Sequence, residues 1–118
     1  MNQFVLKQDS SEELRLFPHI LELGIVKNTS IRLNAFPKTS VDGIKIFTVL
    51  EGKFEWCVNN GQYTLFPNDV AVILPNQEFG SSNGVLEIGS YSWIHLNVQR
   101  KGSNDLTMGL WSSLSESE

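Results

Sequence analysis

Residues 61–79 read GQYTLFPNDVAVILPNQEF and contain two short strand patterns joined by a turn. The turn is Pro67-Asn68-Asp69, whose residue types favour a tight reversal. The run from residue 70 to 74 is continuously apolar, as in a buried strand, and Pro75-Asn76 ends it. Two strands this close in sequence, separated by a polar turn, indicate an all-β fold.

The residues before this stretch predict a hairpin. Residues 53–58 alternate, with Phe54, Trp56 and Val58 on one face, and Asn59-Asn60-Gly61 follows. Asn-Gly tolerates the two positive φ angles of a type I′ turn. We therefore expect strand 53–58 to fold back onto strand 62–66.

Strand patterns continue over most of the chain up to residue 98. They occur at residues 31–36, 44–50, 85–88 and 91–98, and residues 19–26 favour a strand over a short helix because of Gly24 and Val26. About eight short strands with turn signals between them are typical of a sandwich, a barrel or a jelly roll.

The composition excludes several classes of protein. The chain has 118 residues, is 41% hydrophobic and carries a net charge of −4, so it suits one domain without a basic surface for nucleic acid or anionic lipid. Its single cysteine, Cys57, forms no internal disulfide and suits a small buried residue. The N-terminus lacks the apolar stretch of a signal peptide, and no apolar run is long enough to span a membrane. We expect a soluble, cytoplasmic protein.

The last residues show a different period. After a polar break at residues 101–105, Leu106, Leu110, Trp111 and Leu114 recur at helical spacing. This pattern predicts a short C-terminal helical segment, such as the start of a linker in a longer protein. An ordinary frayed terminus is the alternative.

The order of these strand and turn patterns resembles that of a known protein family. A buried strand ending in Leu50-Glu51-Gly52 precedes the hairpin, and Leu74-Pro75-Asn76 leads to a strand containing Trp93-Ile94-His95. From about Pro18 to Val98 the chain resembles the cupin-type N-terminal domain of AraC-family transcription regulators. The resemblance implies a double-stranded β-helix, or cupin jelly-roll barrel, over residues 18–99. It also implies an N-terminal arm over residues 1–17 and a helical linker from residue 100 to 118, toward a DNA-binding domain absent from this chain.

The resemblance also places the metal-ligand positions of cupins. They fall at Thr39, Val41, Lys45 and either Phe79 or Gly80. None of these side chains suits a metal, and Lys45 would repel a cation. The chain has two histidines, and a site built from His19 and His95 with Glu78 or Glu87 is the alternative. We therefore expect no metal, no cofactor and no enzymatic activity.

The strand over residues 91–98 is the predicted ligand-binding element. One face carries Tyr91, Trp93, His95 and Asn97, and the other carries Ser92, Ile94, Leu96 and Val98. The first face combines aromatic rings with hydrogen-bonding groups, as a sugar pocket requires, and the second is an ordinary core face. The resemblance implies that residues matching Tyr91 and Trp93 bind the effector. The alternative is that these side chains line an ordinary amphipathic sheet face, whose polar groups are already hydrogen-bonded and bind no ligand.

Arg32 is a second candidate, because a guanidinium at the mouth of a barrel donates to a sugar or a carboxylate. An exposed arginine on an edge strand is the other interpretation.

These residues lead to a hypothesis about function. The chain is expected to be the effector-sensing and dimerisation domain of an AraC-type regulator. It would bind a carbohydrate or similar small polar molecule, form a homodimer, contact DNA only through the missing domain and not associate with membranes. Ligand occupancy would act through the N-terminal arm. The alternatives are a small cupin isomerase or dioxygenase, and an interaction module that binds no small molecule.

Overall fold

The computed structural model describes residues 2–101 and 105–107, with side chains described for residues 2–98. The described part is almost entirely β-structure, and its one helical element is a 3₁₀ turn at Glu12–Leu14. The strands are β1 (Asn2–Lys7), β2 (Ile20–Asn28), β3 (Ile44–Gly52), β4 (Phe54–Val58), β5 (Gly61–Leu65), β6 (Val70–Ile73), β7 (Phe79–Ser81), β8 (Gly89–Leu96), β9 (Gln99–Lys101) and β10 (Asp105–Thr107). No helix in residues 2–101 is long and apolar enough to cross a membrane.

Two antiparallel sheets build the domain. The larger sheet has five strands in the order β1-β2-β8-β3-β6, and the smaller has three in the order β5-β4-β7. Side chains of both sheets meet in a shared aromatic core, where the Phe47 and Trp56 rings pack edge to face with centroids 5.0 Å apart. Trp56 is 2% exposed and belongs to this core. The prediction of an all-β fold is confirmed.

The register of the five-stranded sheet separates an inner face from an outer face. Gly24 on β2 lies opposite Trp93 on β8, which lies opposite Phe47 on β3. Phe47 is 3% exposed and Trp93 packs against the core, so this row faces inward. Because side chains alternate along a strand, Leu23, Ile94 and Ile46 form a row on the outer face.

This register corrects the sequence prediction for β8. Its aliphatic face, represented by Ile94, does not point into the core, and the face with Tyr91 and Trp93 does. The physical reason is that the interior between the sheets is filled by rings, whereas aliphatic side chains cover the outer face of the larger sheet.

The predicted hairpin is present with a different turn. β4 and β5 pair antiparallel, with Trp56 opposite Tyr63 and Val58 opposite Gly61. The loop is therefore Asn59-Asn60, and Asn59 has a positive φ of 53° while Asn60 and Gly61 do not. A type I′ turn needs two positive angles, so this prediction was wrong about the turn type.

Two predicted strands are reduced to a single bridge. Residues 31–36 and 85–88 meet only where Arg32 pairs with Leu86. Asn34 adopts a left-handed φ of 56°, which ends any extended run there. The buried Asn28 amide donates to the carbonyls of Ser30, Leu86 and Glu87, and it holds both segments as loops.

The two ends of the described chain also differ from expectation. Within the predicted arm, residues 2–7 form β1, an edge strand of the larger sheet. Leu106, predicted to begin a helical segment, lies in β10 and pairs with Arg100 in β9. Strand pairing with β9 therefore prevails over the helical spacing at Leu106. Leu110, Trp111 and Leu114 lie outside the described residues.

Candidate functional site

A cavity of about 420 Å³ lies between the two sheets at one end of the aromatic core. Its volume is in the range of small-molecule sites, about 300–1,000 Å³. Aromatic rings and two charged side chains line it, together with the segment between β2 and β3: Gln3, Glu22, Ala35, Phe36, Pro37, Thr39, Lys45, Phe47, Phe79, Tyr91 and Trp93. A second cleft of about 320 Å³ lies beside β5 and β6, and its lining holds no charged side chain.

Trp93 forms one wall of the cavity, and two residues of β2 hold its indole. The indole Nε1–H donates to Glu22 Oε1 at 2.8 Å. The six-membered ring lies against Gly24, where a Cβ atom would come within 2.6 Å of the indole. Gly24 thus provides the space for the ring, and Glu22 fixes the ring's rotation about its long axis.

Tyr91 lies deeper between the sheets. It is 8% exposed and packs edge to face against Trp56 and Phe54, with centroids 5.5 Å away in both cases. Burial in these rings raises the pKa of the Tyr91 hydroxyl to about 12. The phenol is therefore neutral at physiological pH, and it can donate a hydrogen bond to a ligand in the cavity.

Lys45 provides the positive charge of the site. Its Nζ lies 5.5 Å from the centroid of the Phe79 ring and 5.9 Å from that of Phe47, which are cation–π distances. Burial lowers the pKa of Lys45, and the negative charge of Glu22 partly opposes this shift. The partly apolar setting thus works against the charged form of Lys45, and the Glu22 charge favours that form.

His95 lies between these two charges on the sheet but does not line the cavity. It pairs with Glu22 on one side and with Lys45 on the other. Its Nε2 is buried without a hydrogen-bond partner, close to Gly43, where a Cβ would come within 2.7 Å of it. Burial lowers the pKa of His95, the Lys45 charge lowers it further, and Glu22 and Asp42 oppose the shift.

The segment over residues 35–39 closes the cavity on the side of the smaller sheet. Phe36 stacks on Trp56 with a centroid distance of 5.1 Å. Thr39 and Phe79 exchange two backbone hydrogen bonds of 2.8 Å. The backbone of Pro37 and Lys38 lies directly on Gly80, where a Cβ would meet Lys38 Cα at 2.7 Å.

The structure brings together some of the predicted ligand-binding residues. Tyr91 and Trp93 line the same cavity, with ring centroids 5.9 Å apart. Asn97 is exposed. Arg32 is also exposed, donates from Nε to Asn28 Oδ1 at 3.2 Å, and does not line the cavity.

Sequence reasoning missed several residues of the site, above all Glu22, Gly24 and Lys45 as parts of a ligand pocket. For Lys45 a signal was present, because it is the one charged residue within the otherwise apolar run 44–50. Glu22 and Gly24 join the site only through the pairing of β2 with β8, which no local pattern encodes.

The positions that match cupin metal ligands converge on this cavity. Thr39, Lys45 and Phe79 line it, and Val41 packs against the core beside it. Within residues 2–98, no group of three or more His, Cys, Asp or Glu side chains is placed to hold a metal ion.

The comparisons with known proteins assign the fold. The sequence matches no protein-family model and no curated protein. Similar solved structures include a predicted oxalate decarboxylase from Thermotoga maritima, with a TM-score of 0.55, 10% identity and coverage of 80% of this chain and 79% of that one. An RmlC-like cupin from Shewanella frigidimarina gives a TM-score of 0.51, 13% identity and coverage of 66% of each chain. The cupin domain of Schizosaccharomyces pombe Cnp3 gives a TM-score of 0.51, 15% identity and coverage of 69% and 58%.

These similarities show that the chain has the cupin fold, a β-sandwich of the jelly-roll kind. They also correct one expectation. The prediction that the protein is not an enzyme was wrong. The proteins that share its fold include a predicted oxalate decarboxylase, so the fold does not exclude an enzyme. That prediction rested on missing metal-ligand residues, and a fold that hosts both enzymes and binding domains does not decide between them.

Proposed function

We propose that this protein binds a small polar organic molecule in the cavity between its sheets. The observation that carries the proposal is the composition of the cavity wall. Trp93 offers a ring for an apolar sugar face, and the Tyr91 hydroxyl, Glu22 and Lys45 offer polar groups around it. Aromatic walls with a few convergent polar groups are typical of carbohydrate and cofactor sites.

The biological role that we propose is effector sensing in an AraC-type transcription regulator, with a carbohydrate as the effector. The order of sequence motifs supports this role. DNA would then be contacted by a domain outside this chain. The N-terminal residues are suitably placed to transmit occupancy, because Gln3 of β1 lines the cavity.

The test is a binding screen by isothermal titration calorimetry against neutral sugars, sugar acids and amino sugars. Binding of at least one of them, lost in Trp93→Ala and kept in Arg32→Ala, is the expected result. Arg32→Ala is the matched control because Arg32 lies outside the cavity. A folded protein that binds none of these compounds would overturn the proposal.

We also propose that the protein forms a homodimer through the outer face of the larger sheet. Its exposed apolar side chains include Phe4 at 59%, Val70 at 56% and Val72 at 52%. A Lys27–Glu51 ion pair of 3.6 Å lies at the margin of this face. An apolar centre with a polar rim is the usual arrangement of a protein interface.

An enzymatic role is the second candidate function. A lysine whose pKa is lowered inside a cavity is suited to act as a general base or a nucleophile, and Lys45 is such a residue. Prolonged incubation of any bound compound, followed by NMR, distinguishes the two functions. An effector is recovered unchanged, whereas a substrate is converted by the wild type and not by Lys45→Met.

A further inference from the structure

The amino group of Lys45 lines the cavity, and no carboxylate of the described residues forms an ion pair with it. Among the described residues the ion pairs are Arg15–Glu12 and Lys27–Glu51, so no carboxylate oxygen lies within 4.0 Å of Lys45 Nζ. Its described contacts are with the faces of the Phe47 and Phe79 rings.

The carboxylate that lines the cavity, that of Glu22, is hydrogen-bonded to the Trp93 indole. Glu22 and Lys45 lie on strands separated by β8, and His95 stands between them in the register. Adjacent strands are about 4.8 Å apart, so the two backbones are separated by roughly 10 Å. Glu22 Oε1 accepts the hydrogen bond of the Trp93 indole at 2.8 Å. Glu22 therefore positions the aromatic wall through this hydrogen bond. Its negative charge acts on Lys45 only from a distance, and the described residues form no ion pair between the two within 4.0 Å.

Removing an ammonium group from water costs free energy unless an anion pairs with it. Cation–π contacts with two phenyl rings recover only part of that cost. A ligand anion that pairs with Lys45 in the cavity would offset the rest of this desolvation cost. The cavity volume of about 420 Å³ is in the range of small-molecule sites, and Trp93 and Lys45 both line it.

We propose that the ligand of this cavity carries a carboxylate, which pairs with the Lys45 ammonium while the body of the ligand stacks on Trp93. The ligand class is therefore a sugar acid or a related polyhydroxy carboxylate, not a neutral sugar. This inference rests on the proposed small-molecule function and names the ligand class of the same site. Lys45 is then a specificity-determining residue.

The experiment compares ligand pairs that differ only in the carboxylate: glucuronate with glucose, and gluconate with sorbitol. Each is titrated by calorimetry into wild type, Lys45→Met and Lys45→Arg. Methionine keeps the length and apolar contacts of lysine without its charge, and arginine keeps the charge. Lys27→Met is the matched control because Lys27 lies outside the cavity.

A charge-assisted hydrogen bond is worth about tenfold to a hundredfold in affinity. The expected result is that the wild type prefers the acid of at least one pair by roughly that factor. Lys45→Met should lose the preference, with little change for the neutral partner. Lys45→Arg should keep much of it, and Lys27→Met all of it.

The outcomes separate this inference from the function on which it rests. If the neutral member binds as tightly as the acid, or if Lys45→Met keeps the preference, the carboxylate inference is wrong and small-molecule binding stands. If the wild type binds no member of either pair but binds a neutral sugar or an amino sugar in the screen, the inference is again wrong. If no small molecule binds at all, both proposals fail. Urea unfolding of Lys45→Met checks that the variant is folded.

Discussion

At the scale of single residues, Gly24 determines whether Trp93 can form the cavity wall. A Cβ on Gly24 would come within 2.6 Å of the indole and 2.9 Å of the Phe4 carbonyl oxygen. We expect Gly24→Ala to lower the free energy of unfolding by about 1–3 kcal/mol, the usual cost of overpacking. It should also weaken ligand binding. Urea denaturation and calorimetry measure the two effects.

A second variant checks the cause. The clashing indole atoms belong to the six-membered ring, which reaches further than a phenyl ring. Gly24→Ala combined with Trp93→Phe should therefore be more stable than the sum of the two single effects predicts. If the stability changes of the two single variants simply add, the destabilisation by Gly24→Ala does not arise from its clash with the indole.

Tyr91 makes the stability of the protein depend on pH in the alkaline range. Burial raises the pKa of its hydroxyl to about 12 from 10.0. Because the folded-state pKa is the higher one, the contribution to stability is complete below pH 10 and is lost as the pH rises through about 12. At about 1.4 kcal/mol per pH unit, that contribution is about 2–3 kcal/mol.

Tyr91→Phe removes this ionisation and keeps the ring. Urea unfolding of both proteins between pH 8 and pH 11.5 should show a steeper loss of stability in the wild type at the alkaline end. All other titratable groups are common to both proteins, so the difference between the curves isolates Tyr91. Parallel curves would contradict the prediction.

At the scale of elements, the segment over residues 35–39 is a wall that β7 positions. The contact is between backbones, since a Cβ on Gly80 would meet Lys38 Cα at 2.7 Å and the Pro37 carbonyl oxygen at 2.8 Å. Gly80→Ala should push this segment away from β7 and enlarge the cavity. We expect a loss of ligand affinity with a smaller loss of stability than a core truncation produces.

Lys38→Ala is the matched control for this prediction. It changes the side chain of the same segment, which is exposed, and leaves the backbone contact with Gly80 intact. Calorimetry on both variants measures the affinity. Equal losses of affinity in the two variants would mean that the backbone contact is not what positions the wall.

At the scale of the whole molecule, the proposed homodimer forms through the outer face of the larger sheet. Ile25 lies on this face next to Phe4 and is 44% exposed, whereas Leu16 is 85% exposed but lies outside the sheet. Sedimentation should show a dimer for the wild type and for Leu16→Lys. It should show a monomer for Ile25→Lys, because a buried unpaired charge is costly in an interface.

The concentration range should extend to about 100 µM, so that a dimer with a Kd of about 1 µM or weaker is also detected. A wild-type protein that stays monomeric there would contradict the homodimer. A dimer that Ile25→Lys leaves intact would place the interface on another surface.

Much of the fold was predictable from local patterns. Alternation over residues 53–58 and the apolar run 70–74 indicated strands that the structure contains as β4 and β6, and the hairpin between β4 and β5 is confirmed. Tyr91 and Trp93 were correctly placed on one face of one strand. These features depend on residues two to ten positions apart, where side-chain alternation and turn chemistry act directly.

What only the tertiary structure decided is which face of each strand is inside and which distant residues meet. Alternation separates the Trp93 face from the Ile94 face, but it does not say which face the second sheet covers. That choice followed from the aromatic core, where Phe47 and Tyr91 pack on Trp56. The same packing brings Glu22, Lys45 and Trp93 from three strands to one cavity. Local sequence specifies each strand, but the charge and shape of the site depend on long-range strand pairing, whose register is set by the packing of the whole sandwich.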